Sequence, residues 1–194
     1  MFETLQDVET DLKQRLVRAA KDRRSPMHVP AVVTSDVDAR GMVLREFNPA
    51  EWYLRFHTDT RAPKVKAIAA DPSMAVLFYD KGAKIQIRVR GKGRVLSAGP
   101  MAQAAWDNGS NFARRCYLGD GPGAVSETPT SGLPPELEGH EPSDEQLVPA
   151  RENFAVLLVE LIELDWLYLA HTGHMRAQFA RADEGNLQGS WVSP

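Results

Sequence analysis

The chain has 194 residues, 43% of them hydrophobic, a formal net charge of -3 and one cysteine. That length supplies one sizeable core rather than two, and the near-neutral balance excludes a protein built to coat nucleic acid or an anionic membrane. The lone Cys116 excludes an intramolecular disulfide and a cysteine-rich metal site; with an acidic, periodic N-terminus and no apolar run near ~20 residues, it leads to the expectation of a soluble cytoplasmic protein with no membrane partner.

The chain opens on an amphipathic pattern. Phe2, Leu5, Leu12, Leu16 and Ala19 or Ala20 share one helical face, with acids early and Lys13, Arg15, Arg18 and Lys21 later. This spacing predicts a helix from about Glu3 to Ala20, with its charges matched to its dipole. The period then shortens. HVPAVVTSDV (28–37), GMVLREF (41–47), EWYLRFHT (51–58) and SMAVLFYD (73–80) are β-rich runs divided by turn residues such as Asp38, Asn48-Pro49 and Asp71-Pro72. KIQIRVRGKGRV alternates longest, with Ile85, Ile87 and Val89 on one face and Gln86, Arg88 and Arg90 on the other, as a half-buried strand requires. Residues 100–117 predict helix, broken near Asn108-Gly109. NFAVLLVELIELDWLYLA (153–170) predicts one long strand or two joined ones, followed by MRAQFARA and a last short strand near GSWVS. Many strands, few helices and a helix clipped between two strands predict an α+β fold, a small β-barrel with flanking helices, in a single domain over residues 1–194.

Between Cys116 and Ala150 there is no Lys or Arg but there are seven acids, so the rest of the chain carries +4 against the overall -3 and can hold a small anion. The Pro-rich part of this stretch, 119–150, reads as a lid or surface loop because its apolar residues are too sparse for a core of its own. HTGH (171–174) reads as a hairpin tip rather than a metal site, since a third ligand is lacking nearby; no metal is expected. GKG (91–93) and GDGPG (119–123) read as turns, because the dinucleotide fingerprint needs a strand before and a helix after. Trp52, Trp106, Trp166 and Trp191 read as core or interface anchors. No Ser, His and Asp triad assembles from the sequence. FHTDTRAPKVKAI (56–68) carries an unusual charge pattern. A strand ending in His57, Thr58 and Asp59 runs into a helix start bearing Arg61, Lys64 and Lys66, where capping ordinarily favours acids. Both a solvated turn and a phosphate pocket fit that pattern.

Taken in order, ARGMVLREF, FHTDTRAPKVKAI and AKIQIRVRGKGRVLS resemble the pyridoxamine 5'-phosphate oxidase family, the FMN-binding split barrels. The likeness is to a divergent oxidase-like branch rather than the biosynthetic enzyme, and it runs from about Met27 to the C-terminus. It implies a split β-barrel with FMN as cofactor and a homodimer holding the flavin between subunits. Arg40 and Val43 would contact FMN, and Arg45 would stand where the family has a substrate-facing Lys. His57 and Thr58 match the second motif's strand end and Lys64 its second base; Pro63 replaces the first base, so Arg61 is expected to supply that charge. Gln86 matches the Gln of the third motif. Tyr168 falls where the family has a Trp against the flavin, and Gln178 where it has an Arg.

The resemblance makes the pocket the better answer to the charge pattern, since a phosphate dianion suits Arg, Lys and Thr donors at a helix start. The implied activity is that of an FMN-dependent oxidoreductase acting on an unidentified small molecule; a flavin-binding or sensing module without turnover is the alternative. An oligonucleotide-binding barrel is disfavoured by net charge and by the lack of aromatics among the basic residues. Pyridoxamine 5'-phosphate is not expected as substrate. Trp106, Ser110 and Arg114 replace the family's Tyr, Arg and Ser, and its Arg and His pair appears in exchanged order as His174 and Arg176. Arg45, Arg114, His174 and Arg176 are left as candidate contacts for a different anion.

Overall fold

A computed structural model describes residues 2–182 and 187–194. Its first element follows from a capping box. The Thr4 side chain accepts from the Asp7 N–H, and the Asp7 carboxylate accepts from the Thr4 N–H, starting α1 at Leu5–Lys21. Val8, Leu12, Leu16 and Ala19 recur at helical spacing and are all fully buried. Asp11 of this helix accepts from Trp166 Nε1 at 3.0 Å, and Phe2 meets the Trp166 ring edge-on at 4.6 Å. The helix is thereby fixed to the sheet at two points.

The strands that follow are β1 (Ala31–Thr34), β2 (Ala39–Gly41), β3 (Glu46–Asn48) and β4 (Tyr53–Asp59). Then come α2 (Pro63–Ala70), β5 (Ser73–Asp80), β6 (Ile85–Leu96), α3 (Pro100–Asp107) and α4 (Asn111–Arg114). The chain ends with α5 (Asp144–Leu147), β7 (Phe154–Tyr168), β8 (Met175–Arg181) and β9 (Leu187–Val192). They form one antiparallel sheet in the order β2-β1-β5-β6-β7-β4-β3, with β8 and β9 branching from β7. Inward residues such as Val32, Leu54, Phe56, Phe78 and Ile87 fill its interior. The expected α+β class with a split barrel and flanking helices is the fold observed.

The single strand expected at 41–47 is instead divided. Met42 and Leu44 donate their N–H groups to Pro30 and His28, whereas Arg45 donates to Arg55. Within these residues the chain leaves the β1 side and joins β4, which closes the sheet into a barrel along a seam at 42–45. The split lies on β7. Residues 154–160 pair with β4 and residues 163–168 pair with β8, while β6 runs along the other edge.

GKG is not a turn but the middle of β6. The ladder shifts register between Arg90 and Gly91, and a Cβ on Gly91 would sit 2.2 Å from the Glu160 carbonyl oxygen. Only glycine admits the β7 backbone so closely at this bulge. The acidic segment also holds more structure than its composition suggests, with a 3-10 turn at Pro135–Leu137 and then α5. Leu147 and Ala150 pack with Ala105, Trp106 and Phe154 in a second cluster outside the barrel. Two apolar residues suffice because they complete a core supplied by α3 and β7. Arg115 ties the segment down by donating to the carbonyls of Leu137 and His140, each at 2.9 Å.

Candidate functional site

The seam opens a cavity of about 310 Å³. Arg40, Met42, Val43 and Arg45 line it from the bent strand; His57, Thr58 and Asp59 from the end of β4; Lys64 from α2; and Tyr117 from the turn after α4. Two sequence motifs about 20 residues apart thus meet on one wall, because the strand that carries the first leaves β1 to pair with the strand that carries the second. The start of α2 has Pro63 at its first position, no side-chain cap on Ala62 and no acid in its first turn. A helix start in that condition favours an incoming anion.

The cations around the cavity are unequally matched. Arg40 pairs with Asp38 and donates to Thr34 Oγ1 at 3.0 Å. Lys64 reaches only Thr58 Oγ1, at 3.4 Å, and among the described residues no carboxylate lies within 4.0 Å of its ammonium. Burial, and then the Arg40 charge, hold the Lys64 ammonium below its ordinary pKa. His57 behaves alike: burial, then Arg45 and Arg55, lower its pKa to about 4, so the ring is neutral at pH 7. Its Nε2 is buried and lacks a partner within the chain, while the ring packs edge-on against Phe154 at 5.0 Å. The cavity therefore offers an under-compensated cation, an unmet ring nitrogen and a buried hydroxyl, a donor set suited to an oxyanion.

Arg61 is turned away from this set. Its backbone N–H and Nε donate to Asp59 Oδ1 at 2.8 and 3.0 Å, its Nη2 donates to Oδ2 at 2.7 Å, and its Nη1 donates to the Gly119 carbonyl at 3.0 Å. Arg114 donates to the carbonyls of Trp106 and Asp107 at the end of α3 and stacks over the Trp106 ring at 5.0 Å. His174 lies exposed on the turn between β7 and β8. Gln86 is half-buried on β6, next to Tyr79 and Leu167 in register, and Tyr168 packs near Trp166 and Phe2.

Arg176 and Gln178 lie in a second hollow of about 450 Å³ across β6 to β9, with Arg88, Arg90 and Asp165. Asp165 accepts from Arg88 at 2.6 Å, from Arg176 at 2.7 Å and from Gln178 at 2.9 Å. Burial pushes its carboxyl up, but the bonds from Arg176 and Gln178 and the Arg88 charge outweigh this and hold it below the usual range.

Sequence reasoning missed Asp59 and Tyr117 on the cavity wall. Asp59 had a local signal, an acid two residues before Arg61. Tyr117 had none, because it arrives through packing: Phe154 meets its ring edge-on at 5.1 Å and Asn153 Nδ2 donates to its carbonyl at 2.9 Å. Among the described residues no group of three or more His, Cys, Asp or Glu could hold a metal ion, and no helix is long and apolar enough to cross a membrane.

Residues 9–97, which carry all three motifs, match the family model described as pyridoxamine 5'-phosphate oxidase, FMN-binding domain. The family resemblance drawn from the motifs is thereby shown. No protein of curated function matches the chain by sequence. A pyridoxamine 5'-phosphate oxidase-related, FMN binding protein from Nostoc punctiforme superposes with a TM-score of 0.74 at 22% identity, over 95% of this chain and 96% of that one. PhzG from Burkholderia lata 383, solved with tetrahydrophenazine-1-carboxylic acid, superposes with a TM-score of 0.70 at 18% identity, over 95% and 91%. At these identities the superpositions establish the fold.

Proposed function

We propose that this chain binds FMN with the phosphate in the seam cavity and serves as an FMN-dependent oxidoreductase for a small molecule. The observation that carries this reading is Lys64, a half-buried ammonium with no carboxylate within reach among the described residues. A phosphate dianion there would restore its charge balance, and the Thr58 hydroxyl, Arg40 and the start of α2 would complete the cradle. The unmet Nε2 of His57 fits a further polar group of the same ligand. The cavity, at about 310 Å³, is at the small end for a ligand site, which suits the phosphate and sugar-alcohol end of FMN with the ring system lying outside it.

Bound flavin supplies the redox chemistry, and the chain's own contribution is to bind, orient and exclude water. We read Gln86, Tyr168 and Gln178 as contacts for the ring system, the last two from a second copy in a homodimer, since neither lines the seam cavity of its own chain. Arg45 at the cavity mouth and Arg176 in the groove are the remaining cations for an anionic substrate; Arg114, held at the end of α3, would act there by fixing the neighbouring wall. Cytoplasmic location is part of the same proposal.

A fluorescence titration tests the assignment. FMN is expected to bind much more tightly than riboflavin, and equal affinities would remove the phosphate from the cavity. Light scattering of the FMN-loaded protein is expected to give a dimer; a fully loaded monomer would end the two-copy site. Pyridoxal 5'-phosphate formation from the amine or alcohol precursor is expected to be absent, and turnover at about 1 per second would return the chain to vitamin B6 chemistry.

A further inference from the structure

Asp59 sets a puzzle for any anion held in the seam cavity. It is a carboxylate only 7% exposed, on the wall of that cavity, one residue from the Thr58 hydroxyl. A negative charge there would repel a phosphate and would compete with it for Lys64. The structure answers through Arg61. Its backbone N–H and Nε both engage Oδ1 and its Nη2 engages Oδ2, so both carboxylate oxygens are occupied by a residue that does not itself line the cavity. The remaining Nη1 is tied to Gly119, at the start of the acidic segment. To reach a phosphate, Arg61 would have to abandon this fork and leave a buried carboxylate unpaired beside the incoming dianion, a strongly unfavourable exchange.

We propose that Arg61 is a positioning residue that sequesters the Asp59 carboxylate, so that the Lys64 ammonium stays available to the phosphate, and that it is not itself a phosphate donor. The proposal rests on the FMN-phosphate reading above. The charges that act on Lys64 from beyond 4.0 Å are Arg40, which disfavours its ammonium form, and Asp59 and Asp38, which favour it. With Asp38 held by Arg40 and Asp59 held by Arg61, each nearby acid has its own guanidinium, and among the described residues Lys64 is left over, along with the exposed Arg45. The acidic segment shares this arrangement, because the group that quiets Asp59 also fixes Gly119.

Variants at both positions separate positioning from direct donation. Arg61→Ala is expected to weaken FMN by about tenfold or more, the scale on which an unscreened charge within several ångströms acts, with riboflavin affinity unchanged. Arg61→Ala combined with Asp59→Asn is expected to recover most of that loss. A double variant as weak as the single one would overturn the proposal and make Arg61 a donor. Asp59→Asn alone keeps the Oδ1 acceptor for the Arg61 N–H and guards against a misfolded Arg61→Ala. It is expected to bind FMN at least as tightly as the unaltered chain, and weaker binding overturns the idea. A second readout needs no flavin. In ligand-free protein, acylation of Lys64 at mildly alkaline pH, followed by mass spectrometry, is expected to slow in Arg61→Ala as Asp59 turns to the ammonium, and to speed up again in the double variant. An unchanged rate overturns sequestration. The expected rates in a chain that binds FMN no better than riboflavin would uphold the sequestration and overturn the phosphate reading.

Discussion

The groove across β6 to β9 and the cavity at the barrel seam are both lined with arginine, yet their charges are met differently. In the groove, Arg88 and Arg176 converge on Asp165, and Arg90 lies 3.4 Å from Glu163. The carboxylate there is the scarce partner and holds the cluster together. In the cavity the acids each have a guanidinium, and among the described residues it is the half-buried lysine, with the exposed Arg45, that has no carboxylate of its own. Counting arginines would rank the groove first. Asking which charge lacks a partner reverses the order, because a charge already paired and hydrogen-bonded gains little from a ligand.

The largest effect expected from this contrast is on stability in the groove. Asp165→Ala would leave two guanidiniums facing each other, and denaturant unfolding is expected to show a loss of about 3 kcal/mol, the lower end for breaking a buried pair because both arginines are partly solvated. A loss below about 1 kcal/mol would mean that the groove holds its cations without the acid. In the cavity the effect moves from stability to affinity. Lys64→Ala is expected to cost about 2 kcal/mol of FMN binding, the usual worth of a hydrogen bond to a charged group, with riboflavin unaffected in the same titration. Unchanged FMN affinity would class Lys64 with the surface lysines.

Acid should separate the regions further. His57 has a folded pKa of about 4 against an unfolded value near 6.5, so the unfolded chain takes up the proton first. Its penalty therefore grows as pH falls below about 6.5 and levels off below about 4. Relative to His57→Phe, the unaltered chain is expected to lose on the order of 1 to 2 kcal/mol between pH 7 and pH 4.5, less than the full shift because the ring is partly exposed. Parallel pH curves in denaturant unfolding would show His57 to be solvated. The smallest effect is expected from Lys64→Met in ligand-free protein. Removing a desolvated charge repelled by Arg40 should stabilise the chain by about 0.5 kcal/mol at pH 7, visible as a raised midpoint, whereas a lowered midpoint would indicate a carboxylate partner in solution.

How much of this was legible in the sequence depended on whether the signal was local. β5 occupies the 73–80 run read from alternation, and the long strand before the HTGH turn is β7. The break near Asn108-Gly109 is real, since α3 ends at Asp107 and α4 starts at Asn111. The seam was not legible. GMVLREF has the composition of a continuous strand, and what divides it is an exchange of hydrogen-bond partners with segments at 28–30 and at 55. The bulge at Gly91 was missed for the same reason: a glycine within a strand pattern shows its purpose only beside the backbone that approaches it. At the cavity, Arg40, Val43, Arg45, His57, Thr58 and Lys64 come from two short motifs, and the structure brings them together. Gln86, Tyr168, Gln178 and Arg176 lie elsewhere on the sheet, where a periodic pattern gives a face but not a neighbour.

The divided edge of β7 also sets the order in which the chain can finish folding. The end of β4 that carries His57, Thr58 and Asp59 pairs with residues 154–156, about 100 positions later, and β6 depends on the same late strand. Such distant pairings are slow to form. During synthesis, residues 9–97 emerge with all three sequence motifs complete but with β4 and β6 both presenting open edges, which are templates for association with other chains. A fragment cut after β6 would thus carry every recognisable motif and still be prone to aggregate. The unit that evolution writes in motifs and the unit that folds are different lengths of the same chain.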